Sequence, residues 1–260
     1  MIALDSGIGA LEVEFWRVFF LMLRIGAAML AAPFFGAANV PVLVRIGATG
    51  ALAVFVAAWL PVEAPPALFS AAGLLAAMGE ILVGLALGFA LQVAFAAPVL
   101  AAEVFAGGMG MSMAMTTDPT SGQQMTAFGQ YFSIVLVLIF LGLGAHLHWM
   151  ALVVESYRAF PPGETWLGPE RFEAIAGFGV TLFETALRIA LPVTLVLLLV
   201  QLLTGILSRS APALNLFALG LPAGVLAGLA ALIVAAPIIY DQLEGVVRTG
   251  LEQAETVISR

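Results

Sequence analysis

The chain has 260 residues, of which 62% are hydrophobic and 10% are charged, whereas a soluble domain is about 25% charged. A soluble fold of this length could not bury so much apolar surface in one core, so the excess must face lipid or other apolar subunits. The net charge of −7 and the lack of a basic stripe argue against nucleic acid, and the absence of cysteine excludes disulfides and thiol nucleophiles. Because backbone groups must be paired in lipid, the expected fold class is all-α, a multi-helix membrane-class protein built of helical hairpins.

The hydropathy pattern predicts the helices in chain order. Residues 1–14 contain three acids and no cation, so the first apolar run is expected to remain as a membrane anchor and not to be a cleaved signal peptide. Most of the runs reach the roughly 20 residues that cross a bilayer core, and Pro98 marks the end of the third run. The predicted helices cover 15–32, 46–60, 74–95, 128–147, 178–203 and 214–239, followed by an amphipathic C-terminal helix over 241–260.

Four charged residues lie well inside the predicted apolar helices, whereas a fifth, Arg17, lies near the start of the first helix. The four are Arg24, Glu80, Glu184 and Arg188. A charge at the middle of a bilayer costs about 2.5–3.5 kcal/mol on insertion scales, so each of them needs a partner or an aqueous surface. Glu184 precedes Arg188 by four residues, which is the favourable order for an ion pair along a helix. The set can be interpreted as an ion or proton path, or as pairs that fix subunit register. The second interpretation is favoured because a relay would need a longer chain of acids.

Small residues recur at the four-residue spacing that lets helices approach closely. Gly84 and Gly88 form one G-x-x-x-G pattern, and Gly220, Gly224 and Gly228 form a doubled one. Close backbone contact replaces the hydrophobic effect that lipid cannot supply. These rows therefore predict tight helix packing.

The residue types that carry catalysis or bind metal form no convincing constellation. His146 and His148 are the only histidines and have no carboxylate nearby in sequence before Glu155, so an interfacial polar cap is favoured over a metal site. No serine has the G-x-S-x-G setting of a hydrolase nucleophile. The sequence predicts no enzyme, no cofactor and no metal.

The segment 107–125 is the most unusual in the chain. Flexible, polarisable methionines adapt to variable surfaces, and at alternating positions they would share one face of an extended stretch. A deformable segment of this kind suits a gate that closes a pore, and a packed re-entrant loop is the alternative. The residues concerned are Gly107, Gly108, Met109, Gly110, Met111, Met113, Met115, Asp118, Pro119, Gly122 and Met125.

An ordered series of residues runs through almost the whole chain. It comprises Arg24, Pro33, Pro41, Arg45, Gly79, Glu80, Gly84, Gly88, Phe105, Gly108, Gly110, Asp118, Pro119, Gly122, His146, Ser156, Pro161, Leu191, Pro192, Gly205, Arg209, Pro212, Asn215, Phe217, Gly220 and Pro222. The series resembles the FliR family of the flagellar type III export apparatus and its injectisome counterpart SctT. Gln201 and Ala213 depart from the family pattern, which has asparagine and glutamine at these positions.

The resemblance implies a non-enzymatic subunit of the export gate. It implies a FliP-like part over 1–172 with a plug loop at 107–123, a FliQ-like hairpin over 173–240, and the C-terminal helix over 241–260. The implied partners are homologues of FliP, FliQ, FlhB and FlhA, with membrane lipid around them and unfolded flagellar subunits as cargo. Arg209 and Asn215 are expected to pack against other subunits, as are the four charges within the helices.

Location and function each have alternatives. Hydropathy predicts helices in the inner-membrane bilayer, whereas the resemblance implies a flagellar basal-body gate that is assembled largely on the periplasmic side. An injectisome gate subunit is the alternative function, followed by a small-solute transporter that acts alone. The transporter is disfavoured because the two halves show no apparent symmetry.

Overall fold

The structure is a computed structural model that describes residues 4–37, 40–61, 70–111, 116–117, 124–162, 168–210 and 216–259. It confirms the all-α fold class. Within these residues the elements are α1 (Leu4–Ala31), α2 (Val42–Trp59), α3 (Ala71–Gly108), β1 (Thr116–Thr117), β2 (Gln124–Met125), α4 (Ala127–Gly142), α5 (Ala145–Ala159), α6 (Pro169–Ser210) and α7 (Leu216–Ile258).

Several predicted helix boundaries are wrong. The predicted helix 128–147 is two helices, because the chain breaks at Gly144, whose φ of 68° is in the left-handed region that glycine adopts without strain. The third helix continues past Pro98, since a proline removes one hydrogen bond of a helix and apolar helices tolerate that loss. Residues 241–258 form the C-terminal part of α7, which also contains Pro222 and Pro237.

Candidate membrane spans account for most of the helical residues. Among the described residues, four helices are long and apolar enough to cross a membrane, and α4 with α5 makes a fifth if that broken pair counts as one span. The four spans are Val42–Trp59, Ala71–Gly108, Glu170–Ser210 and Gly220–Ile258.

The chain forms two compact units. The first, called unit 1, comprises residues 1–92, 144–178 and 250–260, and the second, called unit 2, comprises residues 93–143 and 179–249. The core of unit 1 surrounds Trp149, whose Nε1 donates to the Leu87 carbonyl at 3.2 Å while Phe35 stacks on its ring. The core of unit 2 includes an edge-to-face contact between Phe95 and Phe140.

Candidate functional site

A fully buried ion pair lies in the core of unit 1. Arg24 of α1 donates from Nε and Nη2 to the two carboxylate oxygens of Glu80 of α3, both at 2.8 Å. The side chains of Arg24 and Glu80 are 1% and 3% exposed. The two charges therefore neutralise each other in a fork-to-fork geometry that holds α1 against α3.

The remaining donors of Arg24 bind the end of α5. Nη1 donates to the Ser156 carbonyl at 2.7 Å and to Ser156 Oγ at 3.2 Å, and Nη2 also donates to the Phe160 carbonyl at 2.9 Å. The Ser156 carbonyl also accepts from the Phe160 backbone N at the end of α5, and Arg24 adds a donor to it and to the Phe160 carbonyl, which follows the last turn. All five N–H groups of the guanidinium are used, which favours a structural role over an ion path, although these bonds join helices of one chain, whereas the sequence predicts pairs that fix subunit register.

Tyr157 completes this cluster. Its ring lies 4.2 Å from the Arg24 guanidinium carbon, and its hydroxyl donates to the Leu21 carbonyl at 2.6 Å. A cation over an aromatic face in a desolvated site adds to the stability of the ion pair. The cluster thus joins α1, α3 and α5 within unit 1.

The first glycine row packs directly on α1. A Cβ added at Gly84 would lie less than 3.0 Å from the carbonyl oxygen of Arg24. A Cβ added at Gly88 would also lie less than 3.0 Å from a carbonyl oxygen, that of Ala28. Gly84 is one turn after Glu80, so the close helix contact and the ion pair are parts of one interface.

The other predicted charges lie on exposed surfaces of this chain. Arg188 donates to Glu184 at 2.6 Å, with both side chains more than half exposed on α6. Arg209 lies exposed in the last turn of α6, and Asn215 lies outside the described residues. Such an exposed pair contributes little by itself, and a surface of this kind is available to a neighbouring subunit.

The methionine-rich segment is described at its two ends. Gly107 and Gly108 close α3, and Gly110 follows with a φ of 76°. Met109 is 1% exposed, whereas Met111 is half-buried. At the other end, Thr116 and Thr117 of β1 pair with Met125 and Gln124 of β2. The remaining predicted plug residues, which are Met113, Met115, Asp118, Pro119 and Gly122, lie outside the described residues.

Two of the three glycines in the second row lie next to Met109 of that segment. Gly228 of α7 faces the Met109 side chain, and a Cβ at Gly224 would make an ordinary 3.8 Å contact with the Met109 carbonyl oxygen. A Cβ at Gly220 would meet no atom of the described residues within 4 Å. The prediction of helix packing at Gly220 therefore stays a prediction.

Glu103 is a site residue that sequence reasoning missed. One of its carboxylate oxygens accepts from both the backbone N and the Oγ1 of Thr126, each at 2.9 Å, and Thr126 Oγ1 accepts in turn from Gly129 N at 3.1 Å. Thr126 is the N-cap of α4, so the carboxylate lies at the positive end of that helix. A threonine before an apolar run predicts the cap, but nothing in the sequence pairs it with an acid 23 residues earlier.

One of the two histidines has a carboxylate partner that is distant in sequence. Nε2 of His148 lies 3.3 Å from a carboxylate oxygen of Glu255, which belongs to the C-terminal end of α7 within unit 1. Both side chains are about half exposed. Among the described residues, no group of three or more His, Asp or Glu side chains could hold a metal ion.

Comparison with known proteins gives one consistent family. The chain is 33% identical to the flagellar biosynthetic protein FliR of Escherichia coli (strain K12) over 229 residues, which cover 88% of this chain and 86% of that protein. It is 30% identical to FliR of Bacillus subtilis (strain 168) over 256 residues, 95% of this chain and 96% of that protein. The secretion system apparatus protein SsaT of Salmonella typhimurium is 31% identical over 145 residues, 55% of this chain and 56% of that protein. A family model described as bacterial export proteins, family 1, matches residues 15–250. The chain therefore belongs to the bacterial export proteins of family 1.

Proposed function

We propose that the chain is a core subunit of the flagellar type III protein export gate, where it helps to form and to close the channel through which unfolded flagellar subunits pass. The family match over residues 15–250, together with FliR relatives that cover most of the chain, carries the assignment to flagellar export. The closing role of segment 107–123 is supported by its position between two ends that are each bound within unit 2, at Gly108 and at Thr126.

The exposed apolar surface supports assembly with partner subunits. Homologues of FliP and FliQ would cover the apolar faces of α6 and α7, with FlhB and FlhA homologues and membrane lipid around them. The large exposed apolar side chains of α6 include Val180, Phe183, Leu187, Leu191, Leu195, Leu198, Leu199, Leu202, Leu203, Ile206 and Leu207. A patch of this extent marks an interface or a membrane surface. We place the gate in the inner membrane at the flagellar basal body, with its assembled form largely on the periplasmic side.

Shortening the segment is expected to make the gate leak. Deletion of residues 112–115 in cells that assemble flagella should raise the permeability of the membrane to small ions, because the segment would no longer fill the channel. Ion influx, followed with an ion-sensitive dye, or growth at high salt measures this permeability. An equal deletion within residues 62–69, also between two helices, is the matched control. Unchanged permeability in the first variant, with the gate assembled, would refute the closing role.

The injectisome gate is the second candidate function, and the likeness to SsaT favours it. That likeness covers 55% of this chain, against 88% for Escherichia coli FliR. Complementation separates the two. We expect this gene to restore motility to a flagellar strain that lacks its own FliR, and not to restore secretion to a strain that lacks its injectisome counterpart. The opposite pattern would move the assignment to the injectisome.

A further inference from the structure

The last turn of α3 is bound by a side chain of α6. Gln201 Nε2 donates to the Gly108 carbonyl at 3.0 Å, within unit 2. The final carbonyls of a helix lack partners in the helix, and the exposed Gln201 side chain supplies one here. The Gln201 amide therefore acts as a cap for α3 that comes from another helix. The family resemblance singles out this position only because glutamine replaces asparagine there.

Met109 occupies a notch on α7 that only glycine leaves open. The side chain is 1% exposed, and a Cβ at Gly228 would lie 2.7 Å from its Cγ and 2.9 Å from its Sδ. Since Cβ atoms do not approach so closely, alanine at position 228 would force the Met109 side chain to shift from its place beside α7. One turn earlier, at Gly224, a Cβ would make an ordinary contact.

Leu197 forms the third contact. A Cβ at Gly108 would lie 3.7 Å from the Leu197 Cβ and 3.0 Å from its Cδ1, so the backbone of α3 rests directly on this side chain. Leu197 is 2% exposed. The first residues of the methionine-rich segment, Gly108 and Met109, are thus held by a hydrogen bond, by the packing of the Met109 side chain against Gly228 and by a backbone-to-side-chain contact.

We propose that Leu197, Gln201 and Gly228 are positioning residues that hold Gly108 and Met109 in one fixed place throughout the export cycle. Any rearrangement that accompanies export begins after Met109. Gly110, with its left-handed φ of 76°, is the first residue beyond the fixed part. This inference rests on the proposed function of the gate. The binding of Thr126 by Glu103 fixes the other end of the segment in the same unit.

A reversible disulfide tests whether the anchor stays fixed. The pair Gly108→Cys and Leu197→Cys places two Cβ atoms 3.7 Å apart, within the roughly 3.5–4.5 Å that disulfides require. The chain has no native cysteine, so no other disulfide can form within it. We expect the pair to oxidise fully in membranes that hold the assembled gate, as seen by a shift of the chain on non-reducing gels. We also expect oxidised and reduced cells to export flagellar subunits at the same rate.

Two outcomes would overturn the anchor. One is failure of the pair to cross-link in a gate that co-purifies with its partner subunits. The other is loss of export on oxidation with recovery on reduction, which would show that the anchor has to move. Export by the reduced cells is measured in both cases, and its persistence means that the proposed function stands while the anchor fails. Should the parent chain support no export at all, the proposed function fails, whereas the cross-linking yield still reports the geometry.

Filling the notch provides a test of the positioning role. Gly228→Ala should increase ion permeability above that of Gly224→Ala, which lies on the same helix and keeps its contact. Met109→Ala in the Gly228→Ala background removes the clash and should return the permeability toward the level of Met109→Ala alone. Equal permeability of the Gly224→Ala and Gly228→Ala gates, both assembled, would overturn the proposal. So would a Gly228→Ala leak that Met109→Ala does not relieve.

Discussion

Replacement of Arg24 by methionine is expected to lower the free energy of unfolding by about 3–5 kcal/mol, the range measured when one partner of a buried ion pair is removed. The variant leaves the Glu80 carboxylate buried without its charge partner. It also removes the Arg24 donor from the Phe160 carbonyl and one of the donors from the Ser156 carbonyl, which keeps its bond to the Phe160 backbone N. Unfolding in mixed micelles that contain increasing amounts of a denaturing detergent measures the loss.

The Arg188→Met variant is the matched control for Arg24→Met. It breaks the pair with Glu184, which is more than half exposed, and should cost about 0.5 kcal/mol or less. The double variant Arg24→Met with Glu80→Met should recover part of the loss, because the buried carboxylate is gone but the Phe160 carbonyl still lacks its Arg24 donor. Equal effects of Arg24→Met and Arg188→Met would contradict the structural role of the buried pair.

Gly84→Ala is expected to separate α1 from α3. The new methyl group would meet the carbonyl oxygen of Arg24 and the Cβ of Ala27 at less than 3.0 Å, and neither the backbone of a helix nor a Cβ attached to it can turn aside as the end of a flexible side chain can. Overpacking of this kind costs about 1–3 kcal/mol, and the added distance also lengthens the bonds between Arg24 and Glu80. The level of assembled gate in membranes and detergent-induced unfolding report the change.

Gly79→Ala is the control on the same helix, because a Cβ there would meet no atom of the described residues within 4 Å. Alanine favours helix over glycine by up to about 1 kcal/mol, so this variant should be neutral or slightly more stable. If Gly84→Ala behaves like Gly79→Ala, the close contact between α1 and α3 does not exist in the assembled protein.

The sequence predicts features that depend on spacing along the chain. The apolar runs give the all-α class, and the four-residue spacing of Glu184 and Arg188 gives an ion pair that the structure contains. The G-x-x-x-G pattern at Gly84 predicts a close contact because small residues at that spacing remove side chains from one face. It does not say which helix fills the space.

Contacts between distant residues could not be predicted. Arg24 and Glu80 were each expected to need a partner, but 56 residues separate them and nothing local shows that they partner each other. The same holds for Glu103 with Thr126 and for His148 with Glu255, where the tertiary fold brings an acid to its partner. The break at Gly144 was missed because its surroundings are as apolar as a continuous span, and a single backbone angle decides it.

The three longest helices exceed what a membrane can cover. At about 1.5 Å per residue, the 42 residues of α6 make roughly 63 Å of helix, and α3 and α7, with 38 and 43 residues, make about 57 and 65 Å. A hydrocarbon core about 30 Å thick covers roughly 39 Å of a helix even at a tilt of 40°. Yet Phe172 and Leu207, near opposite ends of α6, are both exposed apolar residues. Fatty acyl chains can therefore cover no more than about two thirds of the length of such a helix, and exposed apolar side chains on the rest remain outside the acyl region until protein neighbours cover them.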